Sequence, residues 1–448
     1  MSTSDPKSNP NAARAALFKD RNFKWLIGGG AISLLGDQFT LIALPWLVLQ
    51  MTGDTLALGA VLALIAVPRA LFILVGGAIV DRYSPKSVLM LTKHVSTVLL
   101  ALLAVGVLTG TLTLPMIYAL ALGIGLASAF SIPSGTSIMP RVMQLDQLPA
   151  ANSVMMGMRQ LSMFIGPLAA GLMVALGGDV KQGDLTHVDI SGAHGLALAF
   201  AFDACSFALS AWTLSKVKVR ATAAITATAS DAPVAKCAPS MPVWASIVQG
   251  LKHVAGDAQL LTLYLYWAAV AILVLGPLQI ALPVLASSHP ELGASALGIM
   301  AGSHGAGTLL GMIVSGMNPN LRLRSLGATM IMFDIMIGLL FIPMGLIDAT
   351  WQGAVLMLAI GSLGGAMQVS VFTWLQRRVP GQMLGRAMAL FMFIFMGLVP
   401  ISSAFTGWIL QSVTLAHLFM ACGALLVAVA FLAALASPLR NVGLTAAA

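Results

Sequence analysis

Apolar residues run in long blocks along this chain, and short clusters of Gly, Pro, Asp, Lys and Arg separate one block from the next. The blocks cover 23–50, 56–79, 88–109, 114–138, 148–176 and 195–215. After a polar stretch they resume at 259–285, 293–317, 325–347, 352–376, 385–410 and 415–436. An α-helix needs about 20 apolar residues to cross the hydrocarbon core of a bilayer. Inside that core each backbone N–H and C=O must be satisfied within its own segment, so each block is expected to be a helix. The pattern predicts an all-α membrane protein with twelve transmembrane helices in two six-helix halves, 23–215 and 259–436. A tail covers 1–22, a linker 216–258 and a second tail 437–448. The block after the first tail is too long for a signal-peptide core and lacks a small-residue cleavage pattern, so it is expected to remain as the first membrane helix.

Composition agrees with this pattern. Of 448 residues 58% are hydrophobic and only 8% charged, with a mean hydropathy of +0.94. A soluble domain carries about 25% charged residues to cover its surface. The net charge of +8 would suit nucleic acid if the cations were clustered, but they follow the loops instead. With the N-terminus cytoplasmic, all Lys and Arg lie on or next to the cytoplasmic side except Arg69, inside the second helix, and Lys181, between the fifth and sixth. Asp54, Asp179, Asp184, Asp189, Glu291 and Asp348 fall in the opposite loops. Cytoplasmic Lys and Arg set the orientation of membrane proteins, so both termini are expected in the cytoplasm and the protein in the inner or plasma membrane. Basic loops against an anionic leaflet account for the charge, and no nucleic-acid partner is expected.

The linker begins with an Ala/Thr-rich run expected to be flexible. Its second part, 243–253, is expected as a short amphipathic surface helix. Cys205, Cys237 and Cys422 are far apart and form no pair motif; Cys205 and Cys422 read as small core residues. Each half has a basic, Pro-bearing segment before its fifth helix, Pro140-Arg141-Val142 and Arg377-Arg378-Val379-Pro380. This points to a parallel repeat.

Between the second and third helices the chain reads Gly77-Ala78-Ile79-Val80-Asp81-Arg82-Tyr83-Ser84-Pro85-Lys86. It resembles the major facilitator signature G-x-x-x-D-R-x-G-x-R-R, with Ser84 in place of a glycine and Ser87 in place of the last basic residue. Gly77 would let two helices approach, and Asp81 would be a negative charge just past a helix end, facing a neighbouring helix N-terminus. The resemblance implies a gating loop, with Gly77, Asp81, Arg82 and Lys86, against the start of the eleventh helix near Gly385-Arg386. In the fifth helix, Ser153, Ser162, Gly166-Pro167 and Ala170-Gly171 are spaced similarly to the antiporter motif G-x8-G-x3-G-P-x2-G-G, with small residues for three glycines. The family associates that motif with export. Leu35-Gly36-Asp37, Met139-Pro140-Arg141, Ala151-Asn152-Ser153 and Phe202 to Phe207 are similar to the drug:proton antiporter branch, which includes macrolide-efflux, tetracycline-resistance and enterobactin-exporter proteins.

An ionisable residue at the bilayer centre costs about 2.5–3.5 kcal/mol on insertion scales, so each one asks for a reason. Asp37, Arg69, Asp203 and Asp334 stand out. Asp37 lies roughly 20 Å along the first helix, with Ser33 and Thr40 on the same face. It reads as a proton or cationic-substrate site, or as a structural hydrogen-bonded acid. Arg69 follows Pro68 in the second helix. It either pairs with Asp37, meets backbone carbonyls or receives an anionic group of a substrate. Asp203 and Asp334 fall on helices that the resemblance makes peripheral, where a role in holding helices together is expected. His304 reads as a proton relay or a packing histidine. Met388, Phe391, Met392, Phe395 and Met396 form a stripe suited either to varied apolar ligands or to packing. Gln279 and Gln368 join Ser33 and Thr40 as candidate cavity contacts.

The chain has no Walker loop, no Gly-x-Ser-x-Gly elbow and no Cys/His set at metal-ligand spacing. The reading is therefore a transporter rather than an enzyme, with no cofactor or metal. It is expected to be a secondary active, proton-coupled exporter of an amphipathic small molecule, monomeric, with protons and membrane lipids as its other partners. The rivals are an importer or uniporter of a polar metabolite, and a lipid flippase or scramblase, on the same fold.

Overall fold

The computed structural model describes residues 17–144, 147–177, 190–218, 249, 251–252, 254–288, 292–317 and 325–442, with side chains described except at 73–82, 190–193, 381–382, 385–386, 436 and 441. The Ala/Thr-rich linker, most of the expected surface helix, the outer ends of both tails, Cys237, Lys181, Asp179, Asp184, Asp189 and Glu291 lie outside the described residues.

Among the described residues twelve helices are long and apolar enough to cross a membrane. They are α1 (Arg21–Thr52), α2 (Thr55–Arg82), α3 (Pro85–Thr109), α4 (Leu114–Val142), α5 (Leu148–Leu176), α6 (Ile190–Lys216), α7 (Ala258–Ser288), α8 (Gly293–Met317), α9 (Leu326–Leu346), α10 (Thr350–Arg378), α11 (Gly381–Phe393, continued by Val399–Ile409) and α12 (Leu415–Ala436). Local chemistry sets their ends. Asp20 caps α1 through the N–H groups of Asn22 and Phe23, and Asp257 caps α7 through Gln259 and Leu260. Gly53 and Gly110 end α1 and α3 with φ near +60°, a conformation that costs glycine nothing.

Helix packing repeats with a shift of six. In the first half α1 packs on α5, α2 on α4 and α3 on α6. In the second half α7 packs on α11, α8 on α10 and α9 on α12. The halves meet through α5 on α8 and α2 on α11. These crossings need small residues. A Cβ at Gly171 of α5 would lie 2.6 Å from Gly298 Cα of α8, and one at Gly59 of α2 would lie 3.2 Å from Ala404 Cα of α11. Close backbone approach replaces a hydrophobic driving force between helices in lipid.

Several expectations change. α2 remains helical through Arg82, so Gly77, Asp81 and Arg82 belong to its last turns, and the expected loop shrinks to Tyr83 and Ser84. Asp81 is not past the helix end. Pro85 sets this boundary: it starts α3 at a position where its missing N–H is harmless. Lys86, in the first turn of α3, donates to the carbonyls of Ser215 (3.1 Å) and Val217 (2.7 Å) and so caps the end of α6. α11 starts at Gly381 rather than near Gly385. Cys422 is buried, whereas Cys205 is exposed.

Among the described residues two helices contain π turns, Ala271–Leu275 in α7 and Ile394–Leu398 in α11, and these lie against each other. A π turn leaves carbonyls without their usual partners. Ser402 donates to the Ile272 carbonyl within the π turn at 2.7 Å, a donor supplied by α11, and Ser403 donates to the Gly276 carbonyl just after it at 3.0 Å.

Candidate functional site

A cavity of about 580 Å³, a size typical of small-molecule sites, is walled by the first half and by Met396 of α11 from the second. Its wall runs from Leu44, Leu62, Leu100 and Ile124, deep in the bundle, to Leu26, Leu89, Met139 and Leu214, close to the end where α1 begins and α6 finishes. At the opposite end the halves are joined. Thr55 of α2 donates to the Gly407 carbonyl of α11 at 2.7 Å, and Gln411 reaches Asp54 at 3.3 Å.

Among the described residues, five charged side chains line the cavity: Asp37, Arg69, Lys93, Arg159 and Asp203. Asp37 sits at the midpoint of α1 and is exposed to the cavity. Lys93, Arg69 and Arg159 all act on its charge. Among the described residues the one ion pair is Arg378–Asp257, at 2.9 Å. The five cavity charges thus face a common space without direct contact between opposite signs. In particular, Asp37 and Arg69 interact but do not pair directly.

The local sequence explains how these groups come together. Gly36 has no side chain, and a Cβ there would collide with Asp203 and Ser206 of α6. Its absence lets α6 approach until Thr40 donates to Asp203 Oδ2 at 2.5 Å. Ser206 donates to the other carboxylate oxygen at 3.1 Å, leaving Asp203 only 1% exposed. Asp203 therefore joins α1 to α6, while also feeling the charges of Asp37 and Lys93. Lys93, 7% exposed, donates to Ser33 of α1 at 3.2 Å, with its ammonium 5.2 Å from the Phe207 ring centroid. In α2, Pro68 cannot donate to the Leu64 carbonyl. Gly125 of α4 packs there, 2.8 Å from that oxygen to a Cβ position, and Arg69 follows directly.

Sequence reasoning missed Lys93 and Arg159. Lys93 lies nine residues into α3, where it counted as a cytoplasmic-side cation. The signal available was Ser33 and Ser96, polar positions at helical spacing that continue the stripe into α1 and α3, and both line the cavity.

Other candidates fall elsewhere. Gln279 accepts from Ser403 at 3.2 Å and Gln368 is exposed; neither lines this cavity. Of the small residues in α5, Gly166 packs on Gln38 of α1 and Gly171 on α8, with the Pro167 carbonyl against Gly298. Ser162 is buried, and Ser153 is exposed, donating to the Pro149 carbonyl at 2.9 Å. Asp334 is fully buried in the second half, facing the Tyr266 hydroxyl of α7. From the α11 stripe Met396 reaches the cavity, while Phe391 is buried among Tyr264, Trp267, Phe372 and Phe395.

Comparisons with known proteins agree with this geometry. The chain is 25% identical over 361 residues to the enterobactin exporter EntS of Salmonella paratyphi A, covering 80% of this chain and 76% of EntS. Among solved structures it is similar to the nucleoside transporter NupG, with a TM-score of 0.66 and 13% identity, over 92% of this chain and 98% of NupG. It is also similar to a D-xylose-proton symporter, with a TM-score of 0.63 and 13% identity, over 91% and 96% of the two chains. The Major Facilitator Superfamily profile matches residues 26–404, which takes in the cavity and both crossings between the halves. With twelve apolar helices, six-helix packing repeated in each half and that match over most of its length, the chain belongs to the Major Facilitator Superfamily of membrane transporters.

Proposed function

We propose that the protein is a proton-coupled exporter of amphipathic small molecules, working by alternating access as a monomer in the inner membrane with both termini cytoplasmic. The observation that carries this reading is Asp37: a cavity-facing carboxylate at mid-membrane with three cations in reach and no direct partner. Adding a proton there changes the charge of the cavity without breaking a structural bond. Rocking of the two halves would then move Asp37 between the two faces of the membrane. The concentration of Lys and Arg in the loops at the cavity end supports a cytoplasmic opening. Loading from the cytoplasm suits export. The likeness to an enterobactin exporter points the same way. Leu34, Leu41, Ile65, Ile132, Phe207 and Met396 supply apolar walls beside the charges, which is what an amphipathic molecule requires.

Everted vesicles test this reading. With an acid interior, wild-type protein is expected to concentrate a fluorescent amphiphile inside and release protons in exchange. Asp37→Asn is expected to abolish the proton-driven step at unchanged expression. Uptake that persists in Asp37→Asn after the pH gradient is collapsed removes proton coupling. Proton-driven movement in the opposite direction makes the protein an importer, and gradient-independent scrambling of labelled phospholipid makes it a lipid transporter.

A further inference from the structure

The cavity charges are unequal in sign and unequally occupied. Among the described residues Arg69, Lys93 and Arg159 outnumber Asp37 and Asp203. Lys93 is held by Ser33 and Phe207, and Asp203 by Thr40 and Ser206. The two guanidinium groups are not held in this way. Arg69 Nε is a buried donor with no hydrogen-bond partner. Arg159 is exposed on the cavity wall and makes no ion pair or hydrogen bond among the described residues. Two unpartnered guanidinium groups and one free carboxylate therefore face the space where a ligand would lie.

We infer that this cavity selects its ligand by an acidic group, held by Arg69 and Arg159, with an apolar body lying along α1, α2 and α4. The inference rests on the reading of this cavity as the transport site. A guanidinium presents a planar fork of N–H donors that matches a carboxylate or other oxyanion, and such charge-assisted bonds are about twice as strong as neutral ones. A cationic amphiphile would meet three like charges and one free carboxylate. A neutral one would leave both guanidinium groups without an ionic partner. Only an anion satisfies Arg69 and Arg159 together and leaves Asp37 free to exchange a proton. The apolar positions Leu44, Leu62, Ile65 and Ile124 line the deep end, beyond Arg69 and Asp37. The acidic group therefore lies with its apolar body directed away from the cavity mouth, toward the end where the halves are joined.

The test is equilibrium binding to purified full-length protein in lipid nanodiscs, read by fluorescence against empty nanodiscs. The probes are three dansyl-undecyl compounds that differ only in their end group: carboxylate, primary amide or amine. Wild type is expected to bind the carboxylate about tenfold or more tighter than the amide, and the amine most weakly. Arg159→Gln and Arg69→Gln are each expected to weaken carboxylate binding about tenfold and amide binding by much less, so that the preference for carboxylate over amide falls. Should Arg69→Gln fail to fold, Arg159→Gln decides, because Arg159 is exposed. Equal binding of carboxylate and amide, preference for the amine, no binding of any probe up to about 1 mM, or an Arg159→Gln protein indistinguishable from wild type overturns the inference. The experiment uses no gradient. A carboxylate preference without proton-driven uptake defeats the coupling reading alone, and proton-driven uptake without a carboxylate preference defeats this inference alone.

Discussion

Gly171→Ala is expected to shift the protein away from the state in which α5 and α8 touch. A Cβ at Gly171 would lie 2.6 Å from Gly298 Cα, 2.8 Å from the Ala294 carbonyl oxygen and 3.0 Å from Gly298 N. All three are backbone atoms, so no side-chain rotation relieves the clash. Carbon atoms pack at about 3.5–4.0 Å, so the helices must separate by about 1 Å at this point. An added methyl in a tight interface costs about 1–3 kcal/mol. Alanine also favours a helix over glycine by about 0.8–1.0 kcal/mol. That gain is present whether the halves are together or apart, so it cancels from the conformational equilibrium and offsets only the loss of global stability. The population ratio is therefore expected to move about 5- to 150-fold toward separated halves, with a smaller change in thermal unfolding. The assay is electron–electron distance measurement between spin labels at Thr111→Cys, between α3 and α4, and Ser412→Cys, between α11 and α12, in a background free of native cysteines. Both positions are exposed at the end where the halves are joined. A longer-distance population is expected to grow. Gly157→Ala, on the same helix but with nothing within 4 Å of its Cβ position, is expected to leave the distribution unchanged. A folded Gly171→Ala protein with the wild-type distribution refutes the reasoning, as does an equal shift in Gly157→Ala.

Thr40→Val removes the hydroxyl that holds Asp203 and is expected to lower stability by about 1–3 kcal/mol, the usual cost of leaving a buried hydrogen-bonding group unsatisfied; an unchanged thermal midpoint in detergent contradicts this. Ser402→Ala removes the donor to Ile272 in the π turn of α7 and Ser403→Ala the donor to Gly276 just after it, and each is expected to cost about 0.5–1.5 kcal/mol. Hydrogen exchange should then quicken within 271–275 and not in the distant α3; uniform exchange across both segments counts against the account. Lys86→Ala frees the Ser215 and Val217 carbonyls and is expected to fray the end of α6, seen as faster exchange at 214–218 with little change in α5.

The twelve spans could be read from the sequence because they follow from a local property. A stretch of some 20 apolar residues has few alternatives to a membrane helix, whatever the rest of the chain does. Asp37 and Arg69 were legible for the same reason, since an ionisable group deep in an apolar run stands out without knowledge of its neighbours. Lys93 and Arg159 did not stand out. Each lies in the first half of a helix that starts at the basic end, where a long cation that reaches water and one that turns into a cavity share the same sequence pattern. The partner of Asp203 is Thr40, 163 residues away, and no local pattern joins them; Gly36 allows that contact only because α6 passes there. The end of α2 at Arg82 and the matched π turns were likewise decided by packing, since Pro85 marks a boundary without saying how far the preceding helix runs. The sequence by itself determined which segments cross the membrane and which charges needed explaining, because hydrophobic length and desolvation act on each segment alone. Only the tertiary structure decided which charges share one cavity and which are already satisfied, because those distances depend on how helices far apart in the chain cross.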